Sequence, residues 1–146
     1  MKQQSESVKE LVLQNDISQV PQLNEFVGQF TKQLGLDTLM VEQFQLAVEE
    51  AVVNVMEYAY PPGVTSDINV LAFFDGHCVR FVIKDYGVAF DPTLKEKADI
   101  TLSVEERPIG GLGILLIREI MDSVSYERID NMNVLTLEKI IEPKKG

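Results

Sequence analysis

The sequence predicts an α+β protein, a two-layer α/β sandwich in which helices cover one face of a single mixed, mainly antiparallel sheet. Three observations predict it. Five short segments lean towards β structure, and two of them alternate apolar and polar residues strictly. Other segments carry apolar residues at three- and four-residue spacing, as a helix with one buried face does. The order is β-α-α-β-β-loop-α-β-β, and a chain of 146 residues is long enough to close this arrangement around one core as a single domain, residues 1–146.

The first strand is expected over residues 7–14, where Val8 and the run Leu11 to Leu13 are apolar. A helix is expected over 18–35, with Ser18 as N-cap, Gly35 as stop, and Leu23, Phe26, Val27, Phe30 and Leu34 along one stripe. A second helix runs from Asp37 or Thr38 to about Tyr60, where Pro61-Pro62-Gly63 ends it. Residues 67–74 place Ile68, Val70, Ala72 and Phe74 on one face, residues 78–85 place Val79, Phe81 and Ile83 on one face, and Asp75-Gly76 between them signals a hairpin. Residues 87–109 show no period, and so long a stretch in a small domain suggests a functional loop such as a lid. A glycine-rich run then opens a helix over Ile114 to Met121, and strands over about 123–129 and 133–141 finish the chain.

Composition narrows the function classes. With 13 basic and 23 acidic side chains the formal net charge is −10, which argues against nucleic acid or an anionic membrane as partner. One cysteine and one histidine leave no intramolecular disulfide, cysteine cluster or multi-histidine metal site. No signal-like stretch opens the chain and no apolar run approaches a bilayer span, so the expected location is the cytoplasm. Running from a methionine to EPKKG, it reads as a complete small protein.

Three motifs carry chemistry. Glu50 and Asn54, four residues apart on the second helix, project side by side. A carboxylate that takes a proton beside an amide oxygen that binds a hard cation is one reading, and a solvated helix edge is the other. Asp85 falls in phase with Val79, Phe81 and Ile83, hence on the core side, where a carboxylate needs donors. A ligand amine such as that of adenine would be one, with Gly87 making room for it; a strand-ending turn cap is the plain alternative. Gly110, Gly111 and Gly113 precede a helix, which suits backbone amides and a helix N-terminus to phosphates, or else a flexible linker. The run lacks the Gly-Lys-Ser/Thr of a P-loop and the spacing of a dinucleotide fingerprint. Arg107 stands near it as a candidate phosphate contact, whereas Lys95 and Lys97 read as solvated charges, His77 as a hairpin tip and Cys78 as a packing residue.

Taken in order, EEAVVNVMEYAYPPG, KDYGVAFDP and GGLGILLIREIMDSVSY resemble the GHKL ATPase superfamily, whose ATP-binding sandwich is called the Bergerat fold. Within it the chain is most similar to bacterial anti-sigma factor serine/threonine kinases, over about residues 8–141, and Phe90-Asp91-Pro92 and Met121-Asp122 favour that subfamily. The resemblance implies ATP and Mg²⁺ as ligands. It makes Glu50 a general base or nucleophile-orienting residue, Asn54 the Mg²⁺ holder, Asp85 the acceptor of the adenine amine, and Gly87 the space for the base. It gives Gly110, Gly111 and Gly113 to the phosphates. It also implies a homodimer that sequesters a sigma factor and phosphorylates a STAS-domain anti-anti-sigma partner. An ATP-binding interaction module without turnover is the alternative; the catalytic half of a histidine kinase fits less well, because no phosphoacceptor segment is present.

Two positions depart from the family pattern. Tyr58 stands where a histidine is frequent, and Asn133-Val134 where a threonine is frequent, with Thr136 in phase with Val134 as a substitute.

Overall fold

The computed structural model describes residues 7–94 and 111–141. Five strands form one sheet: β1 (Ser7–Gln14), β2 (Asp67–Phe74), β3 (Cys78–Asp85), β4 (Ser123–Ile129) and β5 (Met132–Ile140). Their spatial order is β1-β2-β3-β5-β4, and all four ladders are antiparallel, so the sheet is not mixed. Among the described residues the α-helices are α1 (Val20–Gln33), α2 (Thr38–Tyr58) and α3 (Gly111–Ile120).

Alternation explains the layering. Ile68, Val70 and Ala72 of β2, Val79, Phe81 and Ile83 of β3, and Leu135 and Leu137 of β5 are buried on one face. Against them lie Leu23, Val27 and Phe30 of α1, Phe44, Val48, Ala51, Val52 and Val55 of α2, and Ile114 and Ile117 of α3. Phe81 sits at the centre, with Phe30 edge-on at 5.9 Å and Phe44 tilted at 5.8 Å. Truncating that ring would cost about 3–5 kcal/mol.

Element ends differ from expectation for local reasons. Ser18 is not the cap of α1: Asp16 accepts from the Ser18 amide at 3.0 Å and starts a short 3-10 turn, Ile17–Gln19, before α1 begins at Val20. Pro21 in the first turn of α1 brings no N–H and so asks for no cap there. Asp37 caps α2 through the Met40 amide at 2.9 Å. α2 stops at Tyr58 rather than Tyr60, because Pro61 disfavours helical backbone at the residue before it. Asp75 organises the β2–β3 turn by accepting from the His77 and Cys78 amides. Asp130 and Asn131, both at positive φ, close the β4–β5 hairpin in two residues.

The stretch expected as a lid is tied down at its start. Val88 donates to the Ala59 carbonyl at the end of α2, Phe90 donates to Asn133 Oδ1, and Pro92–Leu94 forms a 3-10 turn that Asp91 caps. Arg118 Nη2 of α3 holds the Thr93 carbonyl at 2.9 Å. Residues 95–110 lie outside the described residues, and with them Lys95, Lys97, Arg107 and Gly110.

Candidate functional site

Two groups of polar residues gather along α2 and the ends of β3 and β5. The first centres on Asp85, the last residue of β3, which is 1% exposed on the helix-covered face. Its Oδ1 accepts from the Gly87 amide at 2.8 Å and from Asn133 Nδ2 at 2.9 Å. Its Oδ2 is buried and meets no hydrogen-bond donor among the described residues. Burial pushes the carboxyl above the ordinary carboxylate range, against the lowering effects of the Asn133 and Gly87 hydrogen bonds and the Arg128 charge. A buried acceptor oxygen left open is costly unless a ligand donor meets it.

Asn133 is 3% exposed and directly opposite Asp85 in the β3–β5 ladder. Its Nδ2 donates to Asp85 Oδ1 and to the Val88 carbonyl. Its Oδ1 accepts from the Phe90 amide, the Tyr126 hydroxyl and Arg128 Nη1. The sequence marks this residue only as a departure from the family pattern, yet it shares the phase of Leu135 and Leu137. A polar residue on the core side of a strand was the signal available for it, as it was for Asp85. Thr136 does not substitute: with Val134 it lies on the opposite face of the sheet, because side chains alternate along β5.

Gly87 is required at its position by packing, whatever room it leaves for a ligand. A Cβ there would stand 2.2 Å from the Ala59 carbonyl oxygen and 2.8 Å from the Ala59 carbonyl carbon. The missing side chain lets the strand end dock on the end of α2, where the Val88 amide reaches Ala59. Nearby, Tyr60 is buried and its hydroxyl accepts from the Tyr86 amide at 3.0 Å. A cleft of about 520 Å³ opens outside this junction, lined by Tyr60, Ser66, Tyr86, Gly87, Val88 and Arg128 among others. None of Glu50, Asn54, Asp85 or Gly113 lines it.

The second group joins α2 to α3. The helix begins at Gly111, so Gly111 and Gly113 are in its first turn rather than before it. Contact with α2 overrides the poor helix propensity of glycine. A Cβ at Gly113 would stand 2.9 Å from Glu50 Oε1 and 3.2 Å from Asn54 Nδ2. The glycine therefore lets the helix N-terminus lie directly against both side chains. The amides of its first four residues have no partner within the helix and sit at the positive end of its dipole. Asn54 is 6% exposed, so it is no solvated helix edge, and Glu50 is half-buried. Burial, then the charges of Glu49 and Glu57, push the Glu50 carboxyl up, which makes it a better proton acceptor. Tyr58, one turn beyond Asn54, stacks on Phe90 with ring centroids 5.3 Å apart.

These residues fit a nucleotide with a divalent cation. The open Asp85 oxygen suits an exocyclic amine, and the first turn of α3 suits phosphates. Among the described residues no three His, Cys, Asp or Glu side chains cluster to hold a metal. Mg²⁺ does not need such a cluster, since it is held by one or two protein oxygens with phosphates and water.

Comparisons with known proteins agree with this fold. Residues 13–139 match the family described as the histidine kinase-like ATPase domain. The chain is 32% identical over 99 residues to the serine/threonine-protein kinase BtrW of Bordetella bronchiseptica, covering 68% of this chain and 70% of that one. It is 32% identical over 104 residues to the serine-protein kinase RsbW of Bacillus thuringiensis, covering 68% of this chain and 64% of that relative's length. The crystal structure of the RsbU and RsbW domains of Rv1364c from Mycobacterium tuberculosis shares the fold, with a TM-score of 0.66 at 16% identity over 94% of this chain and 33% of that one.

Proposed function

The chain belongs to the histidine kinase-like ATPase domain family, and from that premise we propose that it is an ATP-dependent serine/threonine-protein kinase acting as an anti-sigma factor. The observation that carries this is the approach of Gly113 to Glu50 and Asn54, which sets a carboxylate and an amide beside a helix N-terminus. Asp85 would select adenine, Gly111 and Gly113 would offer backbone amides to the phosphates, and Asn54 would hold Mg²⁺. The cation, when bound, supplies charge neutralisation at the phosphates. Gly110 and Arg107 belong to the same proposal from sequence alone.

In the transfer, the acceptor serine oxygen attacks the γ-phosphorus while Glu50 takes its proton. The bond between the γ-phosphorus and the bridging oxygen breaks, and ADP leaves with that electron pair. Positioning and electrostatics supply most of the catalysis in such a step. The helix amides compensate phosphate charge locally inside a chain of net charge −10. The remaining acidity suits a basic protein surface, and the partners we propose are a sigma factor, a STAS-domain protein as phosphoryl acceptor, and a second copy of the chain. Among the described residues no helix is long and apolar enough to cross a membrane, and the cytoplasm is the proposed location.

The test is incubation with Mg-ATP and a cognate STAS-domain protein. Transfer to serine or threonine is expected, and its loss in Glu50→Ala. No transfer by the wild type, or unchanged transfer in the variant, sinks the kinase assignment. Absence of ATP binding in a calorimetric titration would overturn the whole reading.

A further inference from the structure

Asn133 stands outside every role assigned above, yet among the described residues its side chain makes five hydrogen bonds. Its two faces have opposite demands. Nδ2 meets only acceptors, the Asp85 carboxylate at 2.9 Å and the Val88 carbonyl at 2.8 Å. Oδ1 meets the Phe90 amide at 3.2 Å and Arg128 Nη1 at 3.1 Å, both of which can only donate, together with the Tyr126 hydroxyl. The amide orientation is thereby fixed. A threonine hydroxyl has one proton and cannot serve both acceptors, and a carboxylate has none. Of these three, only the amide meets all five partners with the right polarity.

We propose that Asn133 is the positioning residue for base recognition, and that one amide both aims Asp85 and anchors the start of the segment that follows it. By engaging Asp85 Oδ1 together with the Gly87 amide, it fixes the plane of the carboxylate and leaves Oδ2 as the oxygen presented to a ligand. By holding Val88 and Phe90 it fixes the backbone leading into residues 92–94, which Arg118 ties to α3. Recognition at Oδ2 and the path of the chain towards the phosphate end thus share a single side chain. The inference rests on the reading that Asp85 accepts the adenine amine.

The experiment compares Mg-ATP with Mg-inosine triphosphate, whose 6-oxo group cannot donate to a carboxylate. Affinities are measured by calorimetry for the wild type, Asn133→Leu and Asn133→Thr, with thermal midpoints recorded in parallel. The wild type is expected to bind ATP at least about tenfold tighter than the inosine analogue, since hydrogen bonds to charged groups are among the stronger ones. In Asn133→Leu the ratio should fall to within about threefold of unity, through lost ATP affinity. Asn133→Thr should fall between the two. A purely structural role would weaken both nucleotides together and keep the ratio, and that result overturns the inference. A wild type that does not discriminate, or does not bind ATP, overturns the Asp85 reading itself, so the two failures are told apart. Amide hydrogen exchange on the wild type supplies a measurement that needs no variant to fold. ATP should slow exchange at Phe90 and the inosine analogue should not; equal protection by both overturns the link between recognition and the following segment.

Discussion

The end of the site proposed to take the base and the end proposed to take the phosphates are built differently. At the base end backbone meets backbone: Gly87 lies on the Ala59 carbonyl, Val88 donates to it, and Asn133 locks Asp85 at the end of its strand. At the phosphate end the close contacts of Gly113 are with the far ends of two side chains, Glu50 and Asn54. Side-chain ends move at little cost, whereas a carbonyl at a helix end does not. The proposed base end is therefore preformed, and the proposed phosphate end is adjustable, as a group that is to receive and then release a phosphoryl acceptor would need to be.

The largest effect that would break this comparison is at Glu50. Glu50→Gln should lower phosphoryl transfer about 10²–10⁴-fold while ATP affinity changes less than about threefold, because only the proton acceptor is removed. A parallel loss of affinity, measured by titration, would mean that Glu50 builds the pocket as well. Asp85→Asn should do the reverse. Its amide would face the adenine amine with a second donor, and ATP affinity should fall about 10²-fold.

The two glycines sharpen the contrast. Gly87→Ala forces a methyl group into the Ala59 backbone and should destabilise the protein by at least about 3 kcal/mol in urea unfolding. Gly113→Ala gains helix propensity of about 1 kcal/mol and only displaces the tips of Glu50 and Asn54. Its unfolding free energy should change by less than about 1 kcal/mol, with transfer reduced about tenfold through the displaced base. Equal destabilisation by both substitutions would remove the distinction between the two ends.

How far the sequence foretold this follows from what is local. Alternation in β2 and β3 and the stripe Leu23, Val27, Phe30 give the layers, because each element must bury one face. Asp85 was legible for the same reason: its phase put a carboxylate on the core side. Asn133 obeyed the identical rule on β5 and was still read only against a family pattern, which hid its phase. Gly87 was singled out correctly as a position needing no side chain, but its neighbour is Ala59, 28 residues earlier, and no local pattern carries that contact. Because glycines discourage helix, the sequence predicts a start of α3 at Ile114, while the packing of Gly113 against α2 decides otherwise. Ser18 is a good cap by residue type, but Asp16 caps a 3-10 turn over Ile17–Gln19 that delays α1 to Val20, where no side chain caps it.

The smallest effect is the dependence on pH, and it separates the two ends by observable rather than by size. Burial raises the Asp85 carboxyl above the ordinary 3.8, so between that value and its raised folded value the free protein holds a proton that the unfolded chain has lost. The contribution of Asp85 to stability is thus greatest below the ordinary value and is lost as pH rises through the raised one. The ionised form is the stronger acceptor for the adenine amine. ATP affinity should accordingly fall as pH drops through the raised value, by at most about tenfold per unit, with proton release on binding above that of free nucleotide. Asp85→Asn should flatten that dependence. Glu50 is also raised, by burial and then by Glu49 and Glu57, but its proton should appear in the transfer rate at saturating ATP and not in the affinity. A rate limb that survives Glu50→Gln, or an affinity limb that survives Asp85→Asn, would mean that the titrating group at that end has been misassigned.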